Sequence, residues 1–213
     1  YRLYRSNPKL NDGWRVRQIK ERHSIYVASL RSVVDGQYFT LIGQTRRIND
    51  DWNPSDVPKL WLYNLHYMDY LLLPDSQARL STNSALLESW RLHNPPSTGN
   101  GWEPYCISLR VVNWIKWFNT LPSEAIKSEW HISLYHQGQV LEQRVEYHIG
   151  ANHLFANAKA LLFLGAYFSD KQAEQWLNLG LKIINQEIVE QFLDDGAHFE
   201  RSPMYHAIAM WDL

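Results

Sequence analysis

The chain has 213 residues, room for one large domain or two small ones, and a formal net charge of −1. A single cysteine, Cys106, excludes an internal disulfide and a cysteine-rich metal site. No apolar run approaches the roughly 18 residues of a membrane span.

The charge is uneven. Residues 1–50 hold ten Lys/Arg against four Asp/Glu, and the remainder holds eleven against eighteen. The basic start offers a surface to an anionic polymer. Ten Trp, twelve Tyr and seven Phe can fill a sizeable core, and they also hint at stacking on sugar rings. The first residues, Tyr1-Arg2-Leu3-Tyr4, are neither a Met start nor a signal peptide. The last, Ala207-Ile208-Ala209-Met210-Trp211-Asp212-Leu213, read as a helix that has just begun, so the sequence predicts a fragment.

Residues 1–58 read as an irregular, β-containing segment. Ser24-Ile25-Tyr26-Val27-Ala28 and Tyr38-Phe39-Thr40-Leu41-Ile42 are its β-prone runs, and Asp51-Trp52-Asn53-Pro54 closes it with turn residues. Residues 59–213 read as successive helices. The first covers residues 60–73 and stops at Pro74; the second covers 78–93, before Asn94-Pro95-Pro96. The third, about 105–120, sets Ile107, Val111, Trp114, Ile115 and Phe118 on one face. Ser123 is the expected cap of a long fourth helix running to about residue 149, ended by Gly150. The fifth, about 153–168, is apolar nearly all round, as a helix buried on most sides must be. Ser169 with Gln172 fits a capping box for an amphipathic sixth, which Asp194-Asp195-Gly196 ends. Buried and amphipathic helices in alternation predict an all-α domain, an incomplete (α/α) toroid of helical hairpins; an ordinary bundle stays open.

Polar and aromatic residues concentrate in residues 61–67, 101–105, 150–153 and 195–206. No HExxH, phosphate loop or Gly-x-Ser-x-Gly elbow is present. His198, Glu200 and His206 match no standard zinc spacing. Glu103, Asp195 and Glu200 leave a two-carboxylate glycoside hydrolase open. Asn-His plus Tyr-His suits another reaction, β-elimination from a uronic acid. There a base removes the proton α to the carboxylate, and an Asn or His donor stabilises the charge that develops on it. A Tyr can act as base and then acid, helped by a cation such as Arg201 or His206. Locally, Asn152 is also a good helix N-cap.

Residues 61–71, 102–117, 152–168 and 195–206 resemble the heparinase II/III family of polysaccharide lyases, a group with alginate and oligoalginate lyases of similar architecture. The run His198-Phe199-Glu200-Arg201-Ser202-Pro203-Met204-Tyr205-His206 is its most specific piece. The resemblance implies an N-terminal α/α toroid followed by a β-sandwich. It implies that Asn152 and His153 neutralise the carboxylate and that Tyr205 is the catalytic tyrosine, with a further His expected from a later, β-rich part of the chain. His66, Trp102, Glu103, Tyr105, Trp114, Arg201 and His206 are the expected substrate-binding residues. The implied partner is an acidic polysaccharide such as a glycosaminoglycan, not nucleic acid or a membrane, met in the periplasm or outside the cell. No metal or other cofactor is expected from these residues, although a later domain leaves room for a metal. Self-association of the fragment is expected. A non-catalytic carbohydrate-binding helical module is the remaining alternative.

Overall fold

The computed structural model describes residues 14–17, 33–35, 37–74 and 78–212. Strands β1 (Val33–Asp35), β2 (Tyr38–Leu41) and β3 (Gln44–Arg47) form an antiparallel meander. Between paired Leu41 and Gln44, Ile42 and Gly43 both take positive φ, 51° and 72°, as a type I′ hairpin requires. Phe39 and Leu41 face inward, and the Phe39 ring meets Trp52 and Tyr70 edge-on at 6.1 and 5.2 Å. The sheet therefore shares the core of the helices. β3 has no buried residue, so its polar sequence carried no strand signal. The run at 24–28 lies outside the described residues.

Among the described residues seven α-helices follow: α1 (Lys59–Tyr67), α2 (Leu80–His93), α3 (Pro104–Phe118), α4 (Ser128–Gln143), α5 (Ala151–Tyr167), α6 (Lys171–Gln191) and α7 (Pro203–Asp212). Four boundaries differ from the sequence reading. Met68 adopts φ 55°, which stops α1, and a 3₁₀ turn, Asp69–Leu72, completes the segment. Ser123 opens only a 3₁₀ turn, Ser123–Ala125, and α4 ends at Gln143, not near residue 149. There the Glu146 carbonyl accepts from the Ile149 and Gly150 N–H groups, folding the stretch into a turn. The cap of α6 is Asp170, whose carboxylate accepts from Ala173 N–H at 2.8 Å; Ser169 instead donates its N–H to the Arg15 carbonyl at 2.7 Å. α7 begins at Pro203, a residue preorganised for a first helical turn.

The odd-numbered helices form one layer, α1 beside α3, α3 beside α5 and α5 beside α7. Over it lie α4, against α3 and α5, and α6, against α5. α2 inserts Trp90 among His66, Trp102 and Trp114. This is an arc of an α/α toroid. Only Ala166 of α5 is exposed, as its sequence demanded. Glycines set the layer spacing: a Cβ on Gly165 would lie 2.6 Å from Leu177 N and 2.7 Å from Ala173 O.

Eight of the ten tryptophans are buried, so the aromatic wealth mainly serves packing. Arg110 is fully buried among them. Its Nε donates to Gln137 Oε1 at 2.7 Å, its Nη1 to the His66 carbonyl at 3.1 Å, and its guanidinium stands 4.0 Å from the Trp90 ring centre. His66 accepts at Nδ1 from Trp90 Nε1–H at 3.0 Å. Burial, then the neighbouring Arg110, pushes the His66 pKa down to about 3.

Two stability predictions follow from this packing. Gly165→Ala puts a methyl group against helix backbone, which cannot swing aside. It should cost about 1–3 kcal/mol in urea unfolding despite the better helix propensity of Ala. The second concerns pH. His66 is neutral when folded and titrates near 6.5 when unfolded. The unfolded state thus binds the extra proton between about pH 3 and 6.5, and stability is lost as pH falls through that window. The slope should reach about 1.4 kcal/mol per pH unit from His66. His131, pushed down to about 4 by burial, adds to it in the same sense. Urea midpoints at pH 7 and pH 5 measure the difference.

Candidate active site

The start of α5 is built by an unusual turn. Gly150 has φ 69° and the following Ala151 has φ 47°, a left-handed conformation that costs a non-glycine residue on the order of 1 kcal/mol. Gly150, not Asn152, is the N-cap. The Asn152 side chain is thereby released from capping and lies beside the Tyr105 hydroxyl. Burial pushes the Tyr105 pKa up to about 12, and Asn152 opposes that rise.

His153 packs its ring against Tyr105, with ring centroids 4.3 Å apart and the planes tilted by 32°. Its Nδ1 lies 3.1 Å from Glu146 Oε1, in the turn before α5. Glu146 is itself buried. Its Oε2 accepts from Asn157 Nδ2 at 3.0 Å, and its own N–H donates to Asn157 Oδ1 at 2.8 Å. Asn157 Nδ2 also donates to Ser108 Oγ on α3, at 3.0 Å. Glu146 and Asn157 were not singled out from the sequence. An Asn inside the apolar run Phe155-Ala156-Asn157-Ala158 was the available signal.

Tyr205, on the first turn of α7, is half-buried, and its N–H is capped by Ser202 Oγ at 3.4 Å. Asn152 and Tyr205 line one small recess, together with Phe155, Gln191 and His198. Asp212 closes the same recess and pairs with Lys159 of α5 at 2.7 Å, both largely shielded from solvent. Of the predicted cations, Arg201 is exposed with φ 52°, and the half-buried His206 packs its ring 6.0 Å from Phe192. His198 accepts at Nδ1 from the Glu200 N–H at 3.3 Å, so its neutral ring donates from Nε2 to Gln191 Oε1 at 3.1 Å. Both nitrogens are thus engaged. Among the described residues no cluster of three or more His, Cys, Asp or Glu could hold a metal ion.

Three of the expected substrate-binding residues are not on a cleft wall. His66, Trp102 and Trp114 are all buried. The two indoles donate inside, Trp102 to the Asn94 carbonyl and Trp114 to Met68 Sδ, each at 3.2 Å, and His66 Nδ1 is taken by Trp90. Gly101 permits this packing, because a Cβ there would lie 2.6 Å from His66 Nδ1. Glu103 is half-exposed; it accepts from the Tyr63 hydroxyl and pairs with Lys59 at 3.0 Å. Tyr105 ends a half-buried aromatic row that runs from Tyr63 to Tyr67, 6.4 Å apart, and from Tyr67 to Tyr105, 5.9 Å apart. Lys59, Tyr63 and Tyr67 recur every fourth residue on α1, a spacing visible in the sequence. The layer of odd-numbered helices thus presents an aromatic and polar strip that leads from Lys59 to the recess.

Comparison with known proteins places this geometry in context. The family profile described as "Heparinase II/III N-terminus" matches residues 38–213. A heparin-sulfate lyase of Bacteroides stercoris is 32% identical over 188 residues, covering 82% of this chain and 26% of that protein. A heparin-sulfate lyase of Bacteroides thetaiotaomicron is 27% identical over 184 residues, covering 78% and 26%. A crystal structure of heparinase III superposes with a TM-score of 0.57 at 21% identity, covering 80% of this chain and 28% of that one. The chain therefore spans about a quarter of the length of the curated relatives it matches.

Proposed function

Because the chain belongs to the heparinase II/III family, of which it carries the N-terminal region, we propose that it forms the toroid part of a polysaccharide lyase. The reaction is β-elimination on a uronic-acid-containing, acidic polysaccharide, with a sulfated glycosaminoglycan as the favoured substrate class. The observation that carries this reading is the meeting of Asn152 and Tyr205 in one recess, although more than fifty residues separate them in the chain.

The chemistry follows from that juxtaposition. The base takes the proton from C5, and its electron pair forms the C4–C5 double bond. The C4–O4 bond breaks, and the departing oxygen takes up a proton. Negative charge gathers on the C5 carboxylate before the bond breaks. Asn152 is a neutral amide donor at the recess and His153 is its neighbour in sequence, so both suit that carboxylate. Tyr205, as phenolate, accepts the C5 proton and returns it to O4. The strip from Tyr63 to Tyr105 supports sugar rings by stacking. Such a polymer would be met in the periplasm or outside the cell.

In the full-length protein, Tyr205→Phe keeps the ring and removes the oxygen that carries the proton. It should abolish unsaturated product, read by its ultraviolet absorbance with heparan sulfate as substrate, while polymer binding persists. Asn152→Ala should lower kcat about 10²–10³-fold, the scale of one lost oxyanion donor. Undiminished product from Tyr205→Phe, or hydrolysis without a double bond, would overturn the reading.

Self-association belongs to the same proposal. Met204, Met210 and Trp211 of α7 and Val189 of α6 are 54–81% exposed, and apolar side chains at that exposure favour burial against a partner. The 213-residue chain should sediment as dimers or larger species as its concentration rises; a monomer at all concentrations would count against it.

A further inference from the structure

We infer that Glu146 is a positioning residue for His153: it fixes the proton on Nδ1 and the plane of the ring, so that Nε2 is the nitrogen left for the substrate. This goes beyond the lyase reading but rests on it for the role of His153.

Hydrogen-bond direction fixes the tautomer. Asn157 cannot flip, because its Oδ1 accepts from the Glu146 N–H at 2.8 Å. Its Nδ2 therefore faces Glu146 Oε2, and a donor there demands an acceptor. The other carboxylate oxygen, Oε1, is left to His153 Nδ1 at 3.1 Å. A carboxylate only accepts, so Nδ1 must carry the hydrogen. The His153 side chain keeps 28% of its accessible area, whereas that of Glu146 keeps 8%, so the imidazole is reachable from solvent and the carboxylate lies behind it. Packing against Tyr105 at 4.3 Å restricts the ring further. An anionic partner behind an imidazole orients it in many enzyme sites, and its loss costs turnover more than binding.

Glu146→Gln tests this with little change of shape. Asn157 still offers an N–H, so the new side chain must turn its oxygen toward Asn157 and its NH₂ toward His153. Nδ1 must then accept, and the neutral ring carries its proton on Nε2. Histidine-selective ¹⁵N NMR reads the tautomer directly, with His153→Gln assigning the signal. The expected result is an Nδ1–H ring in the unaltered protein and an Nε2–H ring in Glu146→Gln. In the full-length enzyme, kcat should fall about 10–100-fold with KM little changed. In a His153→Gln background the same substitution should cost nothing further, because Glu146 acts through His153. An Nε2–H ring in the unaltered protein overturns the inference even if the variant does not fold. So does an equal loss of turnover in both backgrounds. If the full-length protein makes no unsaturated product at all, the lyase reading fails, and the tautomer measurement still decides the role of Glu146.

Discussion

A buried cation ties the helical layers together. Arg110 sits on α3, but its side chain touches α1, α2 and α4 through His66, Trp90 and Gln137. Among the described residues no carboxylate pairs with it. Its charge is met by a carbonyl, an amide oxygen and a tryptophan face, and burial pushes its pKa down to about 9. Such a group has no cheap alternative arrangement. Shifting any of the three helices would leave a buried donor or acceptor unmatched, at roughly 1–3 kcal/mol each and more for the charged group. The same field helps to keep His66 neutral, which lets it accept from Trp90 deep in the core. Arg110 thus acts as a template for the first half of the arc, on which the aromatic strip of α1 and α3 depends.

Much of the architecture was legible in the sequence, for identifiable reasons. The helices with sharp punctuation were placed within a few residues: α2 ends before Asn94-Pro95-Pro96, and α3 begins at Pro104. The burial of α5 followed from a composition that is apolar nearly all round. Boundaries went astray where tertiary contacts override local preference. Val145 and Glu146 could have continued α4, but Asn157, eleven residues on from Glu146, takes its backbone N–H and turns the chain. Ser169 had the better capping sequence, yet the Arg15 carbonyl engages its N–H, and the cap passes to Asp170. The strand β3 has no inward face and hence no pattern to read.

At the candidate site the sequence names residue types, and their surroundings come only from the fold. Asn152 and Tyr205 could be linked only by resemblance, since nothing local to either residue says that α5 and α7 are neighbours. His66, Trp102 and Trp114 illustrate the opposite failure. Residue type suggests a cleft wall, but a histidine or tryptophan is equally suited to a core that offers its N–H a partner. Burial depends on the whole packing, which single-residue reasoning does not see. Glu146 was hidden for a related reason: an acidic residue near the end of an expected helix reads as surface, and only the folded turn brings it behind His153.

The contact between α5 and α6 carries a consequence for how the chain folds. Gly165 on α5 and Gly180 on α6 each admit the backbone of the other helix, and only three residues, 168–170, connect the two. Closing so short a connection costs little entropy, and the reward is the most extensive helix–helix contact among the described residues. This hairpin can therefore assemble before elements that are distant in sequence, and it offers α3 and α4 a preformed apolar surface on which to dock. Its amides are placed to exchange with solvent more slowly than those of the first helices. The strained turn at Gly150 and Ala151 adjoins this hairpin, so the packing of α5 on α6 helps to hold its distortion in place.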